Sequence, residues 1–107
     1  AAASWDGLYD GLQKSGEVRL ARGEVVDGTR EDVSGYCREL MDAIGARYTI
    51  NAPIHVGDLF WGVLAFDDCE TDRRRCDEEK AAVVAAAQVF GLAIHRHRTQ
   101  QEREALE

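Results

Sequence analysis

Between Tyr48 and Phe66 the chain alternates, turns, and then becomes almost continuously apolar, and this stretch limits the fold more than any other. Tyr48, Ile50, Ala52 and Ile54 alternate with Thr49, Asn51 and His55, the period of a strand that buries one face. That strand is expected from Arg47 to Val56. Pro53 inside it lacks a donor N–H, which predicts a bulge or an edge-like position. Val56-Gly57-Asp58-Leu59 puts glycine first in a two-residue turn, the type II′ preference. Phe60 to Phe66 then reads as a strand covered on both faces or paired centrally.

A charged loop over 67–77 comes next, and then a long helix expected to start near Cys76 or Asp77. Asp77, Glu78 and Glu79 fall in its first turn, where the helix dipole favours negative charge. Ala81–Ile94 is nearly all small or apolar and is expected to pack deeply on the sheet. The expected core is Trp61, Val63, Phe66, Val83, Ala87, Phe90 and Ile94. From His95 the composition turns polar, with only Ala85, Leu92, Thr99 and Leu106 at seven-residue spacing. That spacing is too sparse for a coiled coil, but it suits a helix that leaves the domain toward a partner.

Upstream the pattern is looser. Ser4 can cap a helix with Trp5, Leu8, Tyr9 and Leu12 on one face and Gly16 as its stop. Val18 and Leu20 alternate with charged residues, which suggests a short strand. Arg22-Gly23-Glu24 is turn-like, and Val25-Val26 continues as a second short strand that Asp27-Gly28 breaks. Thr29 can cap the next helix with Asp32 in the capping-box position. Val33, Tyr36, Cys37, Leu40 and Ile44 form that helix's apolar stripe, and Gly45 is a natural terminator.

A chain of 107 residues is one small domain. Its net charge of -7 argues against a nucleic-acid surface, because phosphate neutralisation needs clustered Lys and Arg. The one basic cluster, Arg73-Arg74-Arg75, is bracketed by Asp72 and by Asp77-Glu78-Glu79. No apolar run approaches the roughly 18 residues of a membrane span, and the N-terminus lacks the basic start and apolar core of a signal peptide. Membrane contact is therefore not expected. Cys37, Cys69 and Cys76 are odd in number with no C-x-x-C pair, as for reduced thiols in a cytoplasmic protein. Cys37 reads as a small buried hydrophobe. Cys69 and Cys76 flank the charged loop, where a disulfide is geometrically possible but exposed thiols are preferred.

Catalytic and metal patterns are sparse. His95 and His97 are two apart on a helix and point to opposite sides, whereas helical ligand pairs need a spacing of three or four. Asp67 and Asp68 are adjacent on a strand end and are expected to be solvated charges on opposite faces. No G-x-S-x-G, H-E-x-x-H or phosphate loop is present. No cofactor and no metal site are identified.

Pro53-Ile54, Gly57-Asp58, Trp61-Gly62, Phe66-Asp67-Asp68, and Arg75–Glu79 leading into Ala86–Arg98 together resemble the C-terminal half of a GAF domain, a small sensory module of signalling proteins. The upstream segment, with Trp5, Leu12, Gly16 and the helix ending at Gly45, fits more loosely. The resemblance implies an α+β fold, an antiparallel sheet flanked by helices (GAF/PAS-like) with a long C-terminal helix. It also implies an opening helix and two central strands for which this sequence has no counterpart, so that the chain is a fragment or a compact member. On that reading strand 60–66 lacks a neighbour, and its open edge suits chain–chain pairing. The marks of the cyclic-nucleotide, bilin-binding and methionine-sulfoxide-reducing branches are absent. One departure falls before the last helix, where the family usually has Trp and a hydroxyl residue and this chain has Arg75 and Cys76. That is expected to weaken the cap and make the loop more polar.

By this resemblance residues 1–107 form one sensory domain, with 95–107 as a signalling-helix extension. The expected function is non-catalytic regulation in a bacterial signal-transduction protein such as a sensor histidine kinase or a cyclic-di-nucleotide enzyme. A small molecule would sit between the sheet and helix Thr29–Ile44, with Tyr36, Tyr48, Ile50 and Trp61 as positional candidates for its contacts. A homodimer would form through the C-terminal helix or the open sheet edge. Two alternatives stay open: a dimerisation scaffold without ligand, and a small cysteine-dependent redox enzyme.

Overall fold

A computed structural model describes residues 18–33 and 35–106. The helix expected around Trp5–Leu12 lies outside the described residues. The elements are α1 (Val18–Ala21), β1 (Val26–Gly28), α2 (Gly35–Ile44), β2 (Tyr48–Val56), β3 (Leu59–Asp68) and α3 (Asp77–Leu106). The strands form an antiparallel sheet in the order β1-β2-β3.

The hairpin forms where the sequence places it. Val56 pairs with Leu59 across the turn, and Gly57 takes φ 60° while among the described residues no non-glycine residue has a positive φ, as type II′ requires. One register shift interrupts the ladder. Ile54 faces Gly62 and His55 faces Phe60, so Trp61 is the extra residue of a bulge. The irregularity that Pro53 predicts is therefore present, one residue further on. Pro53 itself pairs with Val63 beyond the end of β1, which faces only Thr49 to Asn51.

The two faces of the sheet carry separate cores. Val26 and the partly buried Phe60 and Val63 pack with Leu20, Val33, Cys37, Met41 and Ala46. Ala52, Ile54 and Leu64 pack with Val83, Val84, Ala87 and Ile94 on the other side. α1 and α2 thus cover one face and α3 the other. β2 is the central strand, and Thr49 and Asn51 are buried as well as Tyr48, Ile50 and Ala52. This corrects the one-sided reading of that strand. The buried polar groups are satisfied. Asn51 Nδ2 donates to Val26 O at 3.4 Å and to Thr49 Oγ1 at 3.1 Å, and Thr49 Oγ1 donates to Asp67 Oδ1 at 2.7 Å.

Several expectations are overturned. Val18–Ala21 is a single helical turn and not a strand. Leu20 alone is fully buried there, and a turn closed by Gly23 N–H to Leu20 O at 3.0 Å buries it as well as a strand would. Asp27 and Gly28 belong to β1 and do not break it. Thr29 to Asp32 makes its own turn, with Thr29 N–H on Asp32 Oδ2 at 2.9 Å, and α2 begins only at Gly35. The buried stripe of that segment is Val33, Cys37 and Met41, whereas Leu40 and Ile44 are half exposed. Gly45 ends α2 as expected: at φ 73° it lets Ala46 N–H reach Met41 O at 2.9 Å.

β3 is an edge strand among the described residues, not a central one. Trp61 and Phe66 are exposed, at 36 % and 50 %. α3 packs mainly over β2, and of its residues only Ala87 and Gly91 are buried. Phe90 is 52 % exposed and Leu92 71 %, while Val63, Val83 and Ile94 are partly buried. The expected deep packing of Ala81–Ile94 reduces to a narrow seam. Its cause is the close approach at Gly91, where a β-carbon would overlap the backbone carbonyl of His55. Small residues let α3 settle directly on β2, with Val83, Val84 and Ile94 at the margins of the seam and Val89, Phe90 and Leu92 pointing outward.

Candidate functional site

Among the described residues the most extensive polar site joins the start of α3 to the sheet. Three consecutive arginines in the preceding loop reach three different carboxylates. Arg73 pairs with Glu79 at 3.3 Å, Arg74 with Asp32 at 2.9 Å, and Arg75 with Asp68. Arg75 is the buried one, its side chain 5 % exposed. It also donates to Arg73 O, lies 3.7 Å from Glu79, and places its guanidinium carbon 5.2 Å from the Tyr48 ring centre. Tyr48 carries the connection on to β1, donating its hydroxyl to Asp27 Oδ2 at 2.6 Å. Lys80 Nζ lies 3.7 Å from the same carboxylate oxygen. β1, β2, β3 and the first turn of α3 therefore share one network.

The electrostatics follow from these contacts. Hydrogen bonding from Arg73, and then from Cys76, lowers Glu79 to about 2. Backbone N–H groups of Glu70 and Thr71, with Arg75 behind them, hold Asp68 below the ordinary carboxylate value. Burial, and then the hydrogen bond to Asp27, raises Tyr48. The negative charge of Asp27 raises Lys80.

Two sequence expectations are corrected here. Asp68 is not a freely solvated strand-end charge, because it holds Arg75, and Asp67 accepts from Thr49. Arg75 and Cys76 do not weaken the helix cap. Cys76 occupies the N-cap position, its N–H and Sγ each 3.3 Å from Glu79 Oε1, and Lys80 N–H reaches Cys76 O at 3.1 Å. Glu79 thus supplies the reach-back half of a capping box, while the thiol meets the Glu79 carboxylate and not a backbone N–H as a capping hydroxyl would.

Two grooves flank α3. One, of about 520 Å³, runs along the side of β2 where β1 has ended. Val25, Pro53, Val84 and Leu92 give it apolar walls, and His55, Gln88 and His95 bring polar groups to it. The other, of about 410 Å³, lies between α3 and β3, with Ile50, Leu64, Phe66, Val83 and Ala86 as walls and Arg75 and Glu79 at one end.

Of the four positional candidates, Ile50 borders the second groove. Tyr48 is buried in the polar network. Trp61 sits in the bulge of β3, and Tyr36 lies on α2, its side chain outside the described ones. Both grooves lie against α3, across the sheet from α2. Sequence reasoning missed Arg75, Gln88 and Gly91 as site residues. Only Arg75 and Glu79, four apart at a helix start, left a readable mark.

Cys37 is buried, Cys69 and Cys76 are exposed, and all three are free thiols. Among the described residues no cluster of His, Cys, Asp and Glu is arranged to hold a metal ion, and no helix is long and apolar enough to cross a membrane.

No protein-family model matches the chain, and no curated protein matches it in sequence. Among solved structures it is similar to the GAF3 domain of Slr1393 from Synechocystis sp. PCC6803 in its photoproduct state, with a TM-score of 0.72 and 19 % identity. The match covers 85 % of this chain and 60 % of that one. With an antiparallel sheet between helices, three-stranded among the described residues, and a long C-terminal helix, the chain has a GAF-like α+β fold.

Proposed function

We propose that this chain is a non-catalytic regulatory module in which a small molecule bound beside α3 shifts that helix and, through it, an output domain. One observation carries the reading. α3 is 30 residues long, rests on the sheet through Ala87 and Gly91, and is exposed at every position from His95 to Leu106. A helix seated on so narrow a seam, with a groove on either side, can tilt when one groove is filled. Its far end then moves through a larger arc than its seat. The GAF-like fold supports a sensory role by analogy, and the similar domain is described in a photoproduct state, one state of a changing module.

The larger groove is the better ligand site, because its apolar walls meet the side chains of Gln88, His55 and His95. A compound with a compact apolar body and one hydrogen-bonding group fits that lining. The setting we infer is a bacterial signalling protein, in the cytoplasm, with a kinase or cyclic-di-nucleotide enzyme as output. A thermal-shift screen against small metabolites tests the reading. A true ligand raises the melting temperature, slows amide exchange in α3 between Val84 and His95, and loses affinity with Gln88→Trp, which fills the groove. A screen without a stabilising compound, or one whose hits bind the Gln88→Trp variant equally well, overturns it.

A further inference from the structure

We infer that the outward face of α3 is an interaction surface for a second copy of this chain, with the two helices packed antiparallel across a two-fold axis at the level of Ala87. α3 seats on the sheet through Ala87 and Gly91, and its opposite side carries Glu78, Ala82, Ala85, Val89, Leu92 and Arg96, each of them exposed. Their spacing alternates between four and three, the repeat of a helix seam that receives another helix. The series Ala85, Leu92, Thr99 and Leu106 is one half of that repeat, and Ala82, Val89 and Arg96 belong to the other. Val89 is 64 % exposed and Leu92 71 %, with Phe90 half exposed beside them. No charged residue occurs from Ala81 to Ile94. An exposed apolar face of this length, rimmed by charge, marks a protein contact.

Charge identifies the occupant. The apolar stretch lies between an acidic first turn, Asp77-Glu78-Glu79, and a basic stretch, His95-Arg96-His97-Arg98. A second copy packed parallel sets like against like at both ends, whereas one packed antiparallel sets acid against base twice. One register satisfies the whole seam. Glu78 of each copy meets Arg96 of the other, Ala82 meets Leu92, and Ala85 meets Val89. Each pair joins the two halves of the repeat. Each apolar pair also sets a small side chain against a larger one, so the helix axes can approach to about 8 Å. Among the described residues neither Glu78 nor Arg96 is in an ion pair, so both charges are open to a partner. The two sheets then lie on the outer sides of the helix pair. The contact is isologous and closes on itself, giving a dimer and not a filament.

This inference does not depend on the ligand reading, and its test is separate. Sedimentation equilibrium on the 107-residue chain should show a dimer at tens of micromolar. Val89→Glu, at an exposed position, should give a monomer, because the axis brings two carboxylates into the middle of the seam. Glu78→Arg alone and Arg96→Glu alone should each weaken the dimer about tenfold, since each turns two attractive pairs repulsive. The double exchange, Glu78→Arg with Arg96→Glu, should restore it, as only the antiparallel register allows. A monomer of the unchanged chain throughout that range overturns the inference. So does a dimer that survives Val89→Glu, or a double exchange that associates no more tightly than either single change. If Val89→Glu unfolds the chain, the comparison of single and double charge exchanges decides alone.

Discussion

Arg75 has a role that its place in a run of charged residues conceals. Its guanidinium is buried between Asp68, Glu79 and the Tyr48 ring, so the end of β3, the start of α3 and the centre of the sheet meet on one side chain. Arg75→Met keeps the volume and removes the charge, leaving Asp68 without its cation. Breaking a buried pair from one side costs about 3–5 kcal/mol. The partial exposure of Asp68 places the expected loss at the lower end, about 3 kcal/mol, read from a urea unfolding midpoint. Arg75→Lys should recover only part of it, because an ammonium cannot present the planar fork that reaches Asp68 and Arg73 O together. Equal stability of wild type and Arg75→Met would show that the network is ornamental. Gly91 is the second such residue. Alanine there is the better helix former by about 1 kcal/mol. Its β-carbon would nevertheless meet the backbone of His55, which cannot swing aside as a side chain would. Gly91→Ala should therefore destabilise by about 1–3 kcal/mol net, and a stabilised variant would show that α3 does not sit on β2 as described.

Among the elements, α3 separates what a sequence can show from what it cannot. Its start at Asp77 is legible, because acidic residues after a capping position are a local signal. The β2–β3 turn and the stop at Gly45 are legible for the same reason, since each depends on one glycine and its neighbours. Which face α3 buries is not legible. Ala81 to Ile94 is apolar nearly all round, so its periodicity favours no direction, and closest approach selects Ala87 and Gly91 in place of the bulky Phe90. Phe90→Ala should accordingly cost about 1 kcal/mol or less, well below the 3–5 kcal/mol typical of a buried phenylalanine. Met41→Ala, at a fully buried position, should cost about 2–5 kcal/mol. Denaturation midpoints in the reverse order would restore the deep packing of α3. β3 was opaque for a different reason: an apolar run looks alike in a central strand and in an unprotected edge strand, and only the strand order distinguishes them. The grooves were hidden because each is built from elements distant in sequence. Gln88 and Val25 share a wall that no spacing rule connects.

At the scale of the whole molecule, the ion pairs around the start of α3 set a pH window for stability. Glu79 falls from 4.5 to about 2 on folding, and Asp68 and Asp32 are held below 3.8. A carboxylate whose folded value is depressed contributes stability above its unfolded value and loses it as pH falls through the folded one. The acid limb should therefore begin near 4.5 and steepen toward about 2. At the other end Tyr48 is raised above 10.0 and Lys80 above 10.5. Groups with raised values stabilise below the unfolded value and lose that contribution as pH rises through the folded one, so an alkaline limb should begin near 10.0. Between the limbs, from about pH 5 to 9, the urea midpoint should be nearly flat. The acid limb can be assigned by substitution, because Arg73 is the largest cause of the Glu79 shift. Arg73→Ala should lower the plateau slightly and make the acid limb shallower, since Glu79 then titrates closer to its unfolded value. Salt should act in the same direction, because Arg73 and Glu79 are both substantially exposed and screening weakens such pairs. Midpoints measured at half-unit steps from pH 2 to 11, for wild type and Arg73→Ala, decide the matter. A wild-type profile without an acid limb, or two profiles with the same acid slope, would mean that the clamp on α3 contributes nothing to the balance between folded and unfolded chain.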